Sequence, residues 1–265
     1  MPARSAPPPA SEPVTPAGTG RTRRAASEAT QRRILDAALD LFADRSFDGA
    51  STRDIAERAG VSQPSLAYHF HSKDELWRAA VDGVFAELVA TLTGRLDGLR
   101  GVDPVTTARL VLREFIGFAA AHPQLHRIVS QESSCEGERF EYLIDVHVRP
   151  LFEQATAMFA ELSERGAVPA IDPALLYYIL IGAGPTLYVH APAYRRLTGG
   201  DPFSPATVDA HASAVIGLLF GPEPAPVCVI APAVAWATIE RATGGSAATR
   251  SDTLRVGGGA TSPAR

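Results

Sequence analysis

The chain has 265 residues, 46% of them hydrophobic, and a formal net charge of −4 at pH 7. That length holds one large or two small domains with an ample core. The negative balance excludes a protein coated in positive charge for nonspecific nucleic-acid binding. Cys135 and Cys228 are the two cysteines. They make neither a disulfide framework nor a metal motif, so a reduced cytoplasmic protein without metal or cofactor is expected.

Residues 1–27 are rich in Pro and poor in large apolar side chains and are expected to be a disordered arm, with no secretory signal. Arg21, Arg23 and Arg24 end it, either as part of a solvated tail or as a basic arm reaching phosphates or a minor groove. A helix follows from about Ala29 to Arg45, with Ile34, Leu35, Ala38, Leu41 and Phe42 as its apolar stripe. Asp36, Asp40 and Asp44 should face away from any DNA, and Phe47 should close the small core.

The segment STRDIAERAGVSQPSLAYHFHSKDEL, Ser51 to Leu76, is the most informative in the chain. Ser51 caps a short helix with Asp54 in its first turn. Gly60 ends that helix in the left-handed conformation. Ser62 caps the next helix, and Pro64 sits in its first turn, where no N–H is needed. Leu66 and Phe70 point inward, leaving Gln63, Ser65, Ala67, Tyr68 and His69 outward. Ser72 and Glu75 are placed for a capping box on the helix that follows. Two short helices around a glycine turn suit a helix-turn-helix offered to a major groove. The same spacing fits a helical hairpin inside another α-domain.

The segment AGVSQPSLAYHFHSKDEL resembles the signature of the tetracycline-repressor (TetR) family of transcriptional regulators. The likeness is carried by Ala59, Gly60, Val61, Ser62, Leu66, Tyr68, His69, Phe70, Lys73 and Leu76. Upstream, Ile34, Ala37, Ala38, Leu41, Phe42, Thr52, Ile55 and Ala56 resemble the family's first two helices. The family often has tyrosine directly after the core leucine. Here Ala67 stands there, which offers no phosphate bond but fits against a thymine methyl. The resemblance implies DNA contacts by Ser51, Thr52, Ser62, Gln63, Pro64, Ser65, Ala67, Tyr68, His69 and Lys73. Gln63 and Tyr68 are the candidates for base contacts. Lys73, the only lysine of the chain, is a candidate phosphate contact.

Farther along, a long helix is expected from Lys73 to about Leu99. Helices then follow over Val105 to Ala121, Pro123 to Glu132, Phe140 to Arg165 with a kink at Pro150, Ala174 to about Val189, and Ser204 to Phe220. Leu175 to Ala193 lacks acidic and basic residues but is broken by Gly182, Gly184 and Pro185. It therefore reads as a buried helix rather than a membrane span. No period-two pattern competes, so the fold class is all-α. Residues 28–75 form the expected helix-turn-helix domain and 76–221 a helical second domain. Residues 222–265 form a mostly disordered tail in which VCVIAPAVAWATIE is apolar enough to dock or to form a short helix.

For the second domain the resemblance implies a homodimer and a small-molecule pocket. Leu175, Tyr178, Ile179 and Gly182, with His211, Val215, Leu218 and Leu219, are candidates for a dimeric four-helix interface or for plain core. Phe115, Phe118, His122, His126, Tyr142, His147, Phe152, Met158, Tyr177 and Tyr188 are pocket candidates. His122 and His126 have a metal-ligand spacing, but Pro123 breaks the helix between them. Nothing resembles a nucleophile elbow, a phosphate loop or an acid–base pair, so no catalytic residue is assigned. The expected function is a DNA-binding regulator of a palindromic operator in double-stranded DNA. By analogy it is a repressor released by an unknown, small apolar or aromatic effector. An activator, or a helical protein-interaction module without an effector, is the competing reading.

Overall fold

The computed structural model describes residues 19–221, and every regular element among them is helical. The head consists of α1 (Thr19–Gly49), α2 (Thr52–Ala59) and α3 (Gln63–His69), and α4 (Lys73–Asp97) runs on from it. The second half contains α5 (Pro104–Ala121), α6 (Pro123–Glu132), α7 (Glu138–Tyr142), a π-helical segment (Leu143–Val148) and α8 (Arg149–Glu164). It ends with α9 (Pro173–Ala183), α10 (Thr186–Val189), α11 (Ala191–Thr198) and α12 (Pro205–Phe220). The N-terminal residues before Thr19, Cys228, the VCVIAPAVAWATIE segment and the rest of the tail lie outside the described residues.

Several expectations need correction. The arm does not stay irregular to Ser27, because α1 begins at Thr19. Ala, Arg and Glu are good helix formers, and the Arg24 guanidinium reaches Glu28 one turn on at 3.0 Å. Phe140 to Arg165 is not one helix kinked at Pro150. Six π-helical residues precede Arg149, and they absorb the missing N–H and the ring clash that Pro150 imposes on the preceding turn. The apolar segment after Leu175 breaks at Gly184 and Pro185 into α9 and α10, and α11 leaves Pro173–Val189 at a bend of 71°. No single helix among the described residues is long and apolar enough to cross a membrane.

Two cores hold the fold. The first starts in the head with Ile34, Phe42, Ile55 and Leu66. It continues without a break through Trp77, Val81 and Phe85 of α4 to Phe118, Ile128 and Leu143. The expected boundary at residue 75 is therefore not a gap in packing. The second core surrounds Leu112, Ile116, Phe159, Leu176, Tyr188 and Ile216, where α5, α8, α9, α10 and α12 meet.

Candidate nucleic-acid interface and ligand cavity

Local rules build the head. The Ser51 hydroxyl accepts the Asp54 N–H at 3.1 Å, capping α2. At the other end Gly60 has φ 64° and ψ 37°, and its N–H donates to the Glu57 carbonyl while the Val61 N–H donates to that of Ala56. This pair of bonds is the Schellman closure that a left-handed residue permits. Ser62 accepts the Ser65 N–H at 3.3 Å and opens α3. Ser72 accepts the Glu75 N–H at 3.0 Å, and the Glu75 carboxylate accepts the His71 N–H at 2.8 Å. The expected capping box is thus closed one residue upstream of Ser72. The His71 N–H holds the Glu75 carboxyl below its ordinary pKa.

Leu66 and Phe70 are buried, so α3 has one face inside and the other in solvent. Gln63, Pro64, Ala67 and Tyr68 are exposed on that outer face, Tyr68 to 80%. Ser65 and His69 are half-buried at its edges. Ser51 and Ser62 are exposed caps, and Thr52 is half-buried at the start of α2. No carboxylate occurs between Gln63 and Lys73, so α3 itself presents no group that repels a phosphate. The Lys73 ammonium lies 4.5 Å from the centre of the Phe47 ring. The Arg139 guanidinium also lies over that ring, at 3.8 Å. Arg23 and Arg24 ride on α1 rather than on an extended arm. A helix 10–12 Å across does not itself fit a minor groove about 6 Å wide, so only the side chains of this segment could enter one.

The carboxylates of α1 do work that was not evident in the sequence. Asp40 accepts from Arg58 of α2 at 2.6 Å and from the Gln124 amide of α6 at 2.7 Å. Asp44 accepts from Arg127 of α6 at 3.0 Å, and the Gln131 amide donates to the Ala43 carbonyl at 2.9 Å. These bonds clasp the head to α6. On α4, Asp82 accepts the Tyr142 hydroxyl at 2.7 Å and His147 Nε2–H at 2.8 Å. Burial, reinforced by Asp82, pushes the Tyr142 phenol up to about 12.

A cavity of about 80 Å³ lies among α4, α5, α6, α8 and α9. Phe85, Leu88, Phe115, Phe118, Ala119, His122, Leu125, His126, Val129, Val148, Leu151, Tyr177, Ile181 and Pro185 line it. The His122 ring stacks on Phe118, and its Nε2 lies 3.4 Å from Glu87. Burial lowers the His126 pKa and pushes the Tyr177 phenol up to about 12, so both groups are neutral near pH 7.

The helix-turn-helix region, residues 34–80, matches the family model described as bacterial regulatory proteins, tetR family. The regulator RutR of Escherichia coli strain K12 is 27% identical over 181 residues, which span 68% of this chain and 84% of RutR. Residues 34–80 are thus a DNA-binding region of the tetR family, and the longer match to RutR makes the chain similar to regulators of that family. The repressor KstR2 of Rhodococcus jostii is 32% identical over 120 residues, 43% of this chain and 56% of KstR2. A solved structure of AibR with isovaleryl coenzyme A and operator DNA shares the fold. Its TM-score is 0.59 at 21% identity, covering 73% of this chain and 99% of AibR. A member of this family is a DNA-binding transcriptional regulator, not an enzyme.

Of the pocket candidates, Phe115, Phe118, His122, His126 and Tyr177 line the cavity. Tyr142, His147, Phe152, Met158 and Tyr188 do not. Tyr142 and His147 turn to Asp82, and the Phe152 ring packs against that of Tyr177. The Tyr188 hydroxyl donates to His211 Nδ1, whose Nε2–H donates to the Ala183 carbonyl. Among the interface candidates, Leu175, Tyr178, Ile179, Gly182 and Leu218 are exposed. Val215 and Leu219 are buried in the second core and His211 is half-buried, because the inner side of α12 packs on its own subunit. No group of three metal-ligating side chains occurs among the described residues.

Proposed function

We propose that this protein is a homodimeric tetR-family repressor that a small effector releases from a palindromic operator. One observation carries the reading: α3 exposes Gln63, Pro64, Ala67 and Tyr68 on a face without carboxylates, while its caps and buried Leu66 hold it rigidly on the head. In a twofold dimer two such helices meet successive major grooves when their centres lie about 34–36 Å apart or at a multiple of that spacing. Gln63 and Tyr68 read base edges. Ser51, Thr52, Ser62, Ser65, His69 and Lys73 hold the backbone, with Pro64 and Ala67 against bases or sugars. Repression follows the names of KstR2 and of the tetracycline repressor of transposon 1721. The effector enters the cavity behind α4 and α6. Selection of bound duplexes from a random library by the full chain is expected to return an inverted repeat, with half-sites about one helical turn apart or at a multiple. Tyr68→Ala should weaken binding to that repeat by about ten- to a hundredfold. Recovery of no inverted repeat would refute the proposal.

A further inference from the structure

The cavity is unevenly furnished. Eleven of its fourteen lining side chains are aliphatic, aromatic hydrocarbon or proline, and none is an arginine, lysine, aspartate or glutamate. His122 already has Glu87 beside its Nε2. His126 and the Tyr177 hydroxyl have no hydrogen-bond partner among the described residues, although both face the cavity. Neither is among the fully buried polar atoms without a partner, so water reaches both, and a ligand that displaces this water keeps its affinity only if it reproduces the hydrogen bonds. An ionised ligand loses affinity, since its charge is stripped of water with no opposite charge in the wall to meet it.

We infer that the effector is a small, uncharged molecule with an apolar body and a single hydroxyl or carbonyl group, which hydrogen-bonds to His126 and Tyr177. Size points the same way. A cavity of about 80 Å³ is roughly half of the 150 Å³ that takes up benzene. One ring or a short branched chain fits once a wall side chain turns, whereas drug-sized pockets start near 300 Å³. Neutral imidazole and neutral phenol together offer both a donor and an acceptor, so either an alcohol or a ketone is served. This effector class presupposes the regulator proposed above, but it is read out without DNA.

Three probes that share one ring separate the possibilities: benzyl alcohol, toluene and benzoate. Calorimetric titration of the full-length protein at pH 7.5 should show benzyl alcohol binding roughly three- to tenfold tighter than toluene, and benzoate weakest. Tyr177→Phe and His126→Leu should each bring benzyl alcohol close to toluene while leaving toluene unchanged. Benzoate binding as tightly as benzyl alcohol would overturn the uncharged class. No binding of benzyl alcohol or toluene up to their solubility limits would overturn the cavity as the effector site. Neither of these results touches operator binding, which the duplex selection measures separately.

Discussion

Asp40 offers a test of the clasp between the head and α6, and the asymmetry of its two sides gives the test its force. Its carboxylate serves Arg58 and Gln124 together. The Arg58 side chain is 47% exposed and that of Asp40 30%. That pair is therefore solvent-screened and worth about 0.5 kcal/mol. The Gln124 amide is half-buried, and its carbonyl oxygen is buried without a partner already. Asp40→Ala strands the amide at both ends, which costs a further 1–2 kcal/mol or so. The total is about 2 kcal/mol, or roughly 0.7–1 M in the urea midpoint for a chain of this size. Gln124→Ala loses the same hydrogen bond but also removes the orphaned carbonyl, and Asp40 keeps Arg58. Its net cost is therefore at most about 0.5 kcal/mol. Urea unfolding of both variants and the double variant, by circular dichroism at one protein concentration, gives the comparison. Equal midpoint shifts, or a larger shift for Gln124→Ala, would refute the reasoning, because the orphaned carbonyl would then cost nothing.

Gly60→Ala places a Cβ 3.8 Å from the Arg33 guanidinium, in open enough space, so its cost of about 1–2 kcal/mol is purely the left-handed backbone at φ 64°; a thermal melt in which it is neutral would contradict the Schellman closure. Ile179→Glu combined with Leu218→Glu puts two charges per subunit on the exposed apolar face of α9 and α12, where Leu218 is 82% exposed and Tyr178 66%. Light scattering should then give half the native mass with helicity retained, and a persistent dimer would place the interface elsewhere. Burial lowers the pKa of His126 and of His211, so each takes up a proton less readily when folded than in the unfolded chain, where the value is about 6.5. Their contribution is fully present above that value and is lost as the pH falls through the lower folded values. The melting temperature should be flat from pH 8 to 7 and fall from pH 6.5 to 5, with His211→Asn reducing the slope. The lowered carboxyls of Glu75 and Asp103 act only at more acidic pH, outside this window.

The head was legible in the sequence because its determinants are local. Ser51, Gly60, Ser62, Pro64 and Ser72 each act within four residues along the chain, and cap, turn and inward positions agree. The cavity was half legible, since a residue's type marks it as a wall candidate only if the winding of its helix is known. Tyr142 and His147 would lie about 140° apart on an α-helix at 100° per residue. The π-helical winding of Leu143–Val148 brings both to Asp82 instead, away from the cavity. Nothing in composition or spacing announces such a segment. Asp40 and Asp44 illustrate the other limit. Their place on the first helix was readable, but their partners Gln124 and Arg127 lie more than eighty residues away in sequence.

These two limits meet in α6. Leu125, His126 and Val129 turn one side of this ten-residue helix to the cavity, while Gln124, Arg127 and Gln131 turn another side to α1. A packed interior transmits displacement rather than absorbing it. The clasp bonds run from 2.7 to 3.0 Å. A shift of α6 by about half an ångström would therefore stretch them toward the limit of useful hydrogen bonding. In the proposed regulator, a molecule that parts α6 from Phe85 and Phe115 spends its contacts against a clasp of a few partly exposed hydrogen bonds. Such a clasp is worth only a few kcal/mol, which matches the 1–3 kcal/mol over which two sites are ordinarily coupled. A deeply buried ionic clasp would hold the head too firmly for a ligand of one ring to move, and the observed one, with Asp44 and Arg58 about half exposed, does not.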